Sequence, residues 1–350
     1  EYVKITEAAM GISLDENRSV NLRSLSGESS LMKSRFSIRE GDYTDNRRTS
    51  SQTLSLVGTL NGGDFLFEGR LKSGDLSAQL SLDRLPLDHL TQGLSGYAGI
   101  KGTLQGTFRE PVLTGNISFD NVHYREFVIQ NGQYGVHFSP RRLSFTQIFA
   151  TTGEGTLTGN LSINLRPKTG IEGDFSFQKI DFHEIIENFP LKTKLNGTIH
   201  LQGESGIIQD FNGTVTLKDL SGTIEDEDVS RGEINFIKKG DLFRVEKAQA
   251  DIGEGRVSLQ GDYYRRYYNF DMEIDTITLD RLFPRSQMEG TVDFKGVVNK
   301  DEKGLSVMGY ASVGDFSYSE ALHVESINIF LAAGEKMTAN LFYSGLSLKD

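Results

Sequence analysis

The sequence predicts an all-β chain organised as one continuous array of repeated units. Three observations carry the prediction. Apolar and polar residues alternate along most of the 350 residues, as they do in strands with one buried face. The same landmarks return at intervals of roughly a hundred residues, a period that marks arrays grown by stacking. Only one short segment in each period departs from the strand pattern towards a helix.

Along the chain, Phe65-Phe67-Gly69-Leu71 is an early strand with one apolar face. Leu85-Pro86-Leu87-Asp88-His89-Leu90 then breaks the alternation. A hairpin follows, with Gly102, Leu104, Gly106 and Phe108 on one face of its first strand and Leu113, Gly115, Ile117 and Phe119 on the same face of its second. Leu143 and Phe145 are followed by Ile148 and Ala150, a slip of one residue that marks a β-bulge. After Gly153-Glu154-Gly155 the apolar face continues through Leu157, Leu161 and Ile163, then through Ile171, Gly173, Phe175 and Phe177. Asp181 to Pro190 reads as a short helix with an aspartate N-cap and a proline stop.

The second period repeats the first. Gly197, 95 residues after Gly102, opens a strand with Ile199 and Leu201. Phe211, Gly213, Val215 and Leu217 form the next, then Ile234 and Phe236. Phe243 and Val245 slip to Ala248 and Ala250. Val257 and Leu259 follow Gly253-Glu254-Gly255, 100 residues after its first copy, and Phe270, Met272 and Ile274 come next. Ile277 to Leu282 repeats the helical segment, and Gly290, Val292 and Phe294 open a third period 93 residues after Gly197. Ile327-Ile329-Leu331 belongs to this last copy, where no slip is found. The divisions are a partial unit over 1–96, units over 97–190 and 191–285, and a partial unit over 286–350.

A sheet with one apolar face needs a cover. One short helix per period masks too little, so the sheet must close as a solenoid, fold as a sandwich or curl into a trough. Glycine within the apolar face is the anomaly, because it has nothing to pack and loses much backbone entropy. It serves either as a hinge for curvature or to keep a space for something that is not protein.

Composition narrows the function. The balance of 37 basic against 48 acidic residues, formally −11, argues against a nucleic-acid partner, which needs a basic face. It has no cysteine, hence no disulfide or thiolate chemistry. No apolar run approaches the ~20 residues that span a bilayer. The chain opens on Glu1 and stops inside an alternating pattern, so it reads as an excerpt of a longer protein. Its six histidines (89, 123, 137, 183, 200 and 323) show no paired metal spacing, and no nucleophile elbow or phosphate loop occurs. No catalytic residue, metal or cofactor is expected. Glu225 to Asp228 reads as a solvated turn, Tyr263 to Tyr268 as a hairpin turn flanked by strand tyrosines, and Asn-Gly-Thr at 196 and 212 as turns or strand starts.

The pattern G-x-φ-x-G…P-x-φ-x-G-x-φ-x-φ-x-x-φ from Gly102 to Val122, with φ-x-φ-x-x-φ at Leu85–Leu90 and its two later copies, resembles the AsmA-like/TamB superfamily of bacterial envelope proteins. The resemblance covers essentially the whole chain, most clearly residues 76–318. It implies a long U-shaped sheet, the β-taco, lined by apolar side chains. It also implies a periplasmic body, an inner-membrane anchor outside this sequence, and a role in moving phospholipid towards the outer membrane. The TamB branch further implies an outer-membrane barrel partner of the Omp85 type, engaged through regions outside this segment.

On that reading Leu104, Phe108, Leu113, Ile117, Phe119, Leu157, Leu161, Ile163, Phe175, Phe177, Ile199, Leu201, Phe211, Val215, Leu217, Ile234, Phe236, Val257, Leu259, Met272, Ile274, Val292 and Phe294 line a groove for phospholipid acyl chains. Leu104, Ile117, Leu157, Phe175, Ile199, Val215, Val257 and Val292 should face one interior, while Thr103, Ser118, Thr216 and Asp293 face solvent. Two other readings stand beside it: a dry β-solenoid stalk, and a chaperone-like groove that accepts outer-membrane strands by edge pairing.

Overall fold

The computed structural model describes residues 3–14, 17–29, 34–88, 93–107, 109–124, 127–166, 169–185, 192–204, 211–224, 227–279, 288–302, 304–318, 322–333 and 337–348. The chain divides into two compact units, Glu1–Phe175 with Ile180–Pro190, and Ser176–Lys179 with Leu191–Asp350.

The first unit holds β1 (Val3–Leu14), β2 (Asn17–Ser29), β3 (Ser34–Asn46), β4 (Ser51–Leu60), β5 (Gly63–Lys72) and β6 (Asp75–Pro86). It continues with β7 (Leu94–Thr107), β8 (Pro111–Tyr124), β9 (Phe127–Ser139), β10 (Arg142–Thr152), β11 (Gly155–Asn164), much of β12 (Gly170–Ile180) and α1 (Phe182–Ile185). The second holds β13 (Thr193–Glu204), β14 (Asn212–Ile224), β15 (Glu227–Lys239), β16 (Leu242–Ile252) and β17 (Gly255–Tyr264). It ends with β18 (Tyr267–Thr278), β19 (Met288–Asp301), β20 (Gly304–Tyr318), β21 (Leu322–Ala333) and β22 (Met337–Leu348).

The 22 strands are assigned to one sheet. Strands pair antiparallel with their neighbours in sequence, from β1–β2 and β7–β8 in the first unit to β13–β14 and β21–β22 in the second. No pairing among the described residues joins β22 back to β1, so the sheet is open. This meander is not a solenoid, whose coils would stack strand on equivalent strand, and that alternative fold is set aside. Hairpin turns explain the glycine pairs. Gly153-Glu154 and Gly253-Glu254 are two-residue turns in which the first glycine takes a left-handed φ of 53° or 57°, so Gly-Glu-Gly spans a turn and the first residue of a strand.

Both slips read from the sequence are register shifts, between Phe145 and Ile148 and between Val245 and Ala248. The register of β21 with β22 has none, as the last copy suggests. Further bulges carry a non-glycine residue in the left-handed region. Arg84 on β6, Lys179 on β12 and Thr276 on β18 stand six strands apart, as do Asn121 on β8, Asp219 on β14 and Asp315 on β20. Antiparallel neighbours run in opposite directions, so the shifts of each unit fall between mid-strand and the same margin of its sheet. A bulge bends its strand and leaves an amide unpaired. That amide is caught by the next strand: Gln147 N donates to Asn160 Oδ1 (3.0 Å), Lys179 N to Asn196 Oδ1 (2.9 Å) and Thr276 N to Asp293 Oδ1 (2.7 Å). Asn196 therefore lies inside β13, against the expectation of a turn or strand start, whereas Asn212 does begin β14.

The deeply buried apolar side chains follow the bulged margin. Leu82, Leu85, Leu87 and Ala150 lie there in the first unit, and Phe177, Leu195, Leu220, Val229, Leu279, Val313 and Val324 in the second. Ala78 and Val136 are buried nearer the opposite margin. The helix expected after Ile180 is α1. Asp181 caps it, its Oδ1 accepting a hydrogen bond from His183 N at 3.0 Å, and Glu184 lies against the Gly153 turn. The other two expected helical segments open as strand instead, Leu85-Pro86 closing β6 and Ile277-Thr278 closing β18; their remainders from His89 and from Asp280, the proline stop and Glu225-Asp226 lie outside the described residues. No described helix is long and apolar enough to cross a membrane.

Candidate functional site: an open apolar face

Directly paired residues in an antiparallel sheet share a face, so the register traces the expected lining strand by strand. In the first unit Leu104 pairs with Leu113, Leu113 with Phe138, Phe138 with Leu143 and Leu143 with Ile163. A second row runs Gly115–Val136–Phe145–Leu161, and a third Phe119–Gly132–Ala150–Leu157. Ile117 pairs with Ile100 and Tyr134 on the same face, and Phe175 lies against Gly159.

The second unit repeats this. Ile199, Leu217, Ile234, Ala248, Leu259, Met272 and Gly296 make one row, and Leu201, Val215, Phe236, Val245 and Gly261 another. Val257, Ile274 and Phe294 pair in series, and Val292 joins Ile277 to Val313. Phe211 precedes β14 and its ring covers Gly203 and Gly213. Phe177 packs on Gly197 and is 3% exposed. Apart from Phe177, these expected lining residues are half-buried, and no described side chain is exposed by less than 2%. Phe108 lies outside the described residues.

On the opposite face Thr103, Ser118 and Asp293 are exposed as expected. Thr216 departs from expectation. It is half-buried because its Oγ1 donates to Asn235 Oδ1 at 3.1 Å within a polar cross-strand pair.

Some inner glycines, Gly106 and Gly290 among them, take a positive φ that few other residues adopt, while others depart from both expectations. The space above several of them is filled by a phenylalanine ring. A Cβ on Gly132 would collide with Phe119, and on Gly159, Gly197 and Gly296 it would lie 2.6, 2.8 and 2.6 Å from Phe175, Phe177 and Phe294. Each glycine is the bed for a ring of a neighbouring position, the arrangement by which aromatics rescue glycine in sheets.

Tyr134, Val136 and Phe138 extend the lining beyond the residues singled out in the sequence, though Val136 and Phe138 already alternate there. Tyr134 lies 5.7 Å from the Phe119 ring and edge-on to Phe145 at 5.2 Å. Burial holds its hydroxyl pKa above the ordinary tyrosine value. The charged groups belong mainly to the other face, where Arg244 pairs with Asp262 (2.7 Å), Lys247 with Glu233 (2.8 Å) and Lys295 with Glu273 (3.0 Å). A cavity of about 410 Å³ touches Lys247, Asp271, Glu273 and Lys295, but its charges are largely spent on these partners. No described group of His, Asp or Glu is placed to hold a metal.

No family model, curated protein or solved structure matches this chain. Fold and site together define it by architecture: an open antiparallel sheet with one continuous, half-covered apolar face in each unit.

Proposed function

We propose that this face is a lipid-binding trough, and that the chain is a non-enzymatic segment of a bridge that shields acyl chains between two membranes. One observation carries the reading. Apolar side chains occupy successive paired positions from strand to strand, yet remain half-exposed across the middle of the sheet and are deeply buried chiefly at the bulged margin. A protein core of this width would be closed and dry; an exposed apolar surface of this extent marks an interaction site. The aligned bulges supply curvature along one margin of each unit, as a trough requires. Their six-strand recurrence supports a repeat unit of six strands.

Energetically the task suits such a face. Each methylene kept from water is worth ~0.8 kcal/mol, so a sixteen-carbon chain gains roughly 12 kcal/mol. A wall of Leu, Ile, Val and Phe has no polar trap along it, so a bound chain can slide. The resemblance to AsmA-like and TamB proteins adds the setting: a periplasmic body between inner and outer membrane, with anchor and barrel partner supplied by other segments.

The test uses Ile199, Val215 and Leu217, which sit on adjoining rows of β13 and β14. Ile199→Asp or Val215→Arg should leave thermal stability nearly unchanged, because the side chain reaches water from an open face. The same changes should abolish phospholipid crosslinking to a photoreactive residue at Leu217. Collapse of the fold, as a buried unpaired charge would cause, together with no crosslink in the parent, would sink the proposal.

A further inference from the structure

One row of the second unit differs from the rest. At the margin opposite the bulges, the apolar face ends in Gly213, Lys238, Phe243, Tyr263, Tyr268, Lys300 and Leu305, each paired with the next. The first unit has a counterpart 100 residues earlier, Leu113–Phe138–Leu143–Ile163, which is wholly apolar. Phenylalanine has thus become Lys238 and isoleucine has become Tyr263.

The two lysines stand out by what they lack. Arg244, Lys247 and Lys295 on the other face each meet a carboxylate. Lys238 and Lys300 meet none among the described residues. Lys238 Nζ instead donates to Phe211 O at 2.9 Å and lies 5.6 Å over the Phe243 ring; Phe243 in turn touches Tyr263 edge-on at 6.1 Å. Lys300 is exposed. In the β15–β16 turn Asp241 is held by Arg265 at 3.2 Å, while at the β19–β20 turn the exposed Asp301 and Glu302 follow Lys300 in sequence. Lysines and tyrosines that keep an apolar body on an apolar surface and a polar tip in water are the side chains of a hydrocarbon–water boundary.

We propose that this row is a headgroup rest: a site for the phosphate of an amphiphile whose alkyl chains lie on the rows between it and the bulged margin. The inference rests on the lipid reading of the face and adds the ligand's polar end. Lys238 and Lys300 supply the counter-charge, and the hydroxyls of Tyr263 and Tyr268 supply donors between them. The dimensions agree. From Tyr263 to Val257 the strand covers ~20 Å at ~3.3 Å per residue, enough for the ~15 Å that one lipid leaflet's chains occupy in a bilayer core.

The experiment is native mass spectrometry of the purified chain with three probes: dipalmitoyl phosphatidylglycerol, dipalmitoylglycerol and glycerol phosphate. The parent should retain the phospholipid about tenfold better than the diacylglycerol, and Lys238→Gln/Lys300→Gln should remove that preference while leaving diacylglycerol retention unchanged. Added salt should weaken phospholipid retention alone in the parent, a readout that needs no variant. Equal retention of both lipids by the parent, or no salt effect, overturns the headgroup rest and leaves the apolar trough standing. Glycerol phosphate binding as tightly as the phospholipid overturns it in favour of a free-phosphate site. Retention of neither lipid overturns the trough itself.

Discussion

Phe119 and Gly132 pair across β8 and β9, and the ring fills the place where a side chain would stand. Such a pair behaves as one unit. Gly132→Ala should cost about 1–3 kcal/mol, the usual penalty of overpacking, and much less in a Phe119→Leu background, where the ring no longer occupies the site. Denaturation midpoints of the two single variants and the double variant measure that coupling. Equal cost in both backgrounds would mean that the ring does not cover the glycine. Asp251 offers a second test. It is 7% exposed, accepts from Arg256 Nε at 2.9 Å and pairs with Arg231. The Arg256 hydrogen bond, with Arg231 assisting, outweighs burial and holds its carboxyl below the ordinary range. A depressed folded pKa stabilises above the unfolded value and loses that contribution as pH falls through the folded one. Asp251→Asn should therefore be less stable than the parent at neutral pH, and the gap should close in acid. A gap that widened on acidification would contradict the ion pair.

At the scale of the strand, the sequence made some features plain and hid others for physical reasons. The bulges at Phe145/Ile148 and Val245/Ala248 were readable because an inserted residue reverses facing, and facing is written in the apolar alternation. Asp181 was readable because a cap needs only its own helix. The ring-over-glycine pairs were not, since Phe119 reaches Gly132 only once two strands are in register. Nor were the amide clamps legible, because Asn160, Asn196 and Asp293 look like ordinary solvent-facing strand residues until their partners are known. The clamp at Thr276 is open to measurement. Asp293→Ala removes the acceptor and should cost on the order of 1 kcal/mol with faster hydrogen exchange at the Thr276 amide. Asp293→Asn keeps an acceptor, as Asn160 and Asn196 do, and should be nearly silent. Equal protection of that amide in both variants would show that it is satisfied elsewhere.

For the molecule as a whole, the candidate lining was legible as a set of phases but not as a surface. The alternation says which residues share a face, and only the folded structure shows that the face is half-buried rather than packed away. Its expected signature is an environment-sensitive apolar dye that brightens on the native chain at neutral pH. A phospholipid should displace that dye without any change in far-ultraviolet circular dichroism. Failure of the native chain to take up dye would indicate a closed interior. The rim row was half legible: Tyr263 to Tyr268 reads as a hairpin, but Lys238 and Lys300 join it only through pairings that span five strands, β15 to β19.

The meander also sets an arithmetic for growth and loss. Direction alternates from strand to strand, so a piece with an odd number of strands would send every later bulge to the opposite side, while an even number preserves the side. Six is even, which is the interval separating Arg84, Lys179 and Thr276 along the strands. Gene duplication or deletion in that quantum keeps every bulge on the same margin. A frame that lost one strand would place its later bulges on the opposite margin from its earlier ones. Length in such a protein is a variable that evolution can tune cheaply, and parity is the rule it must obey.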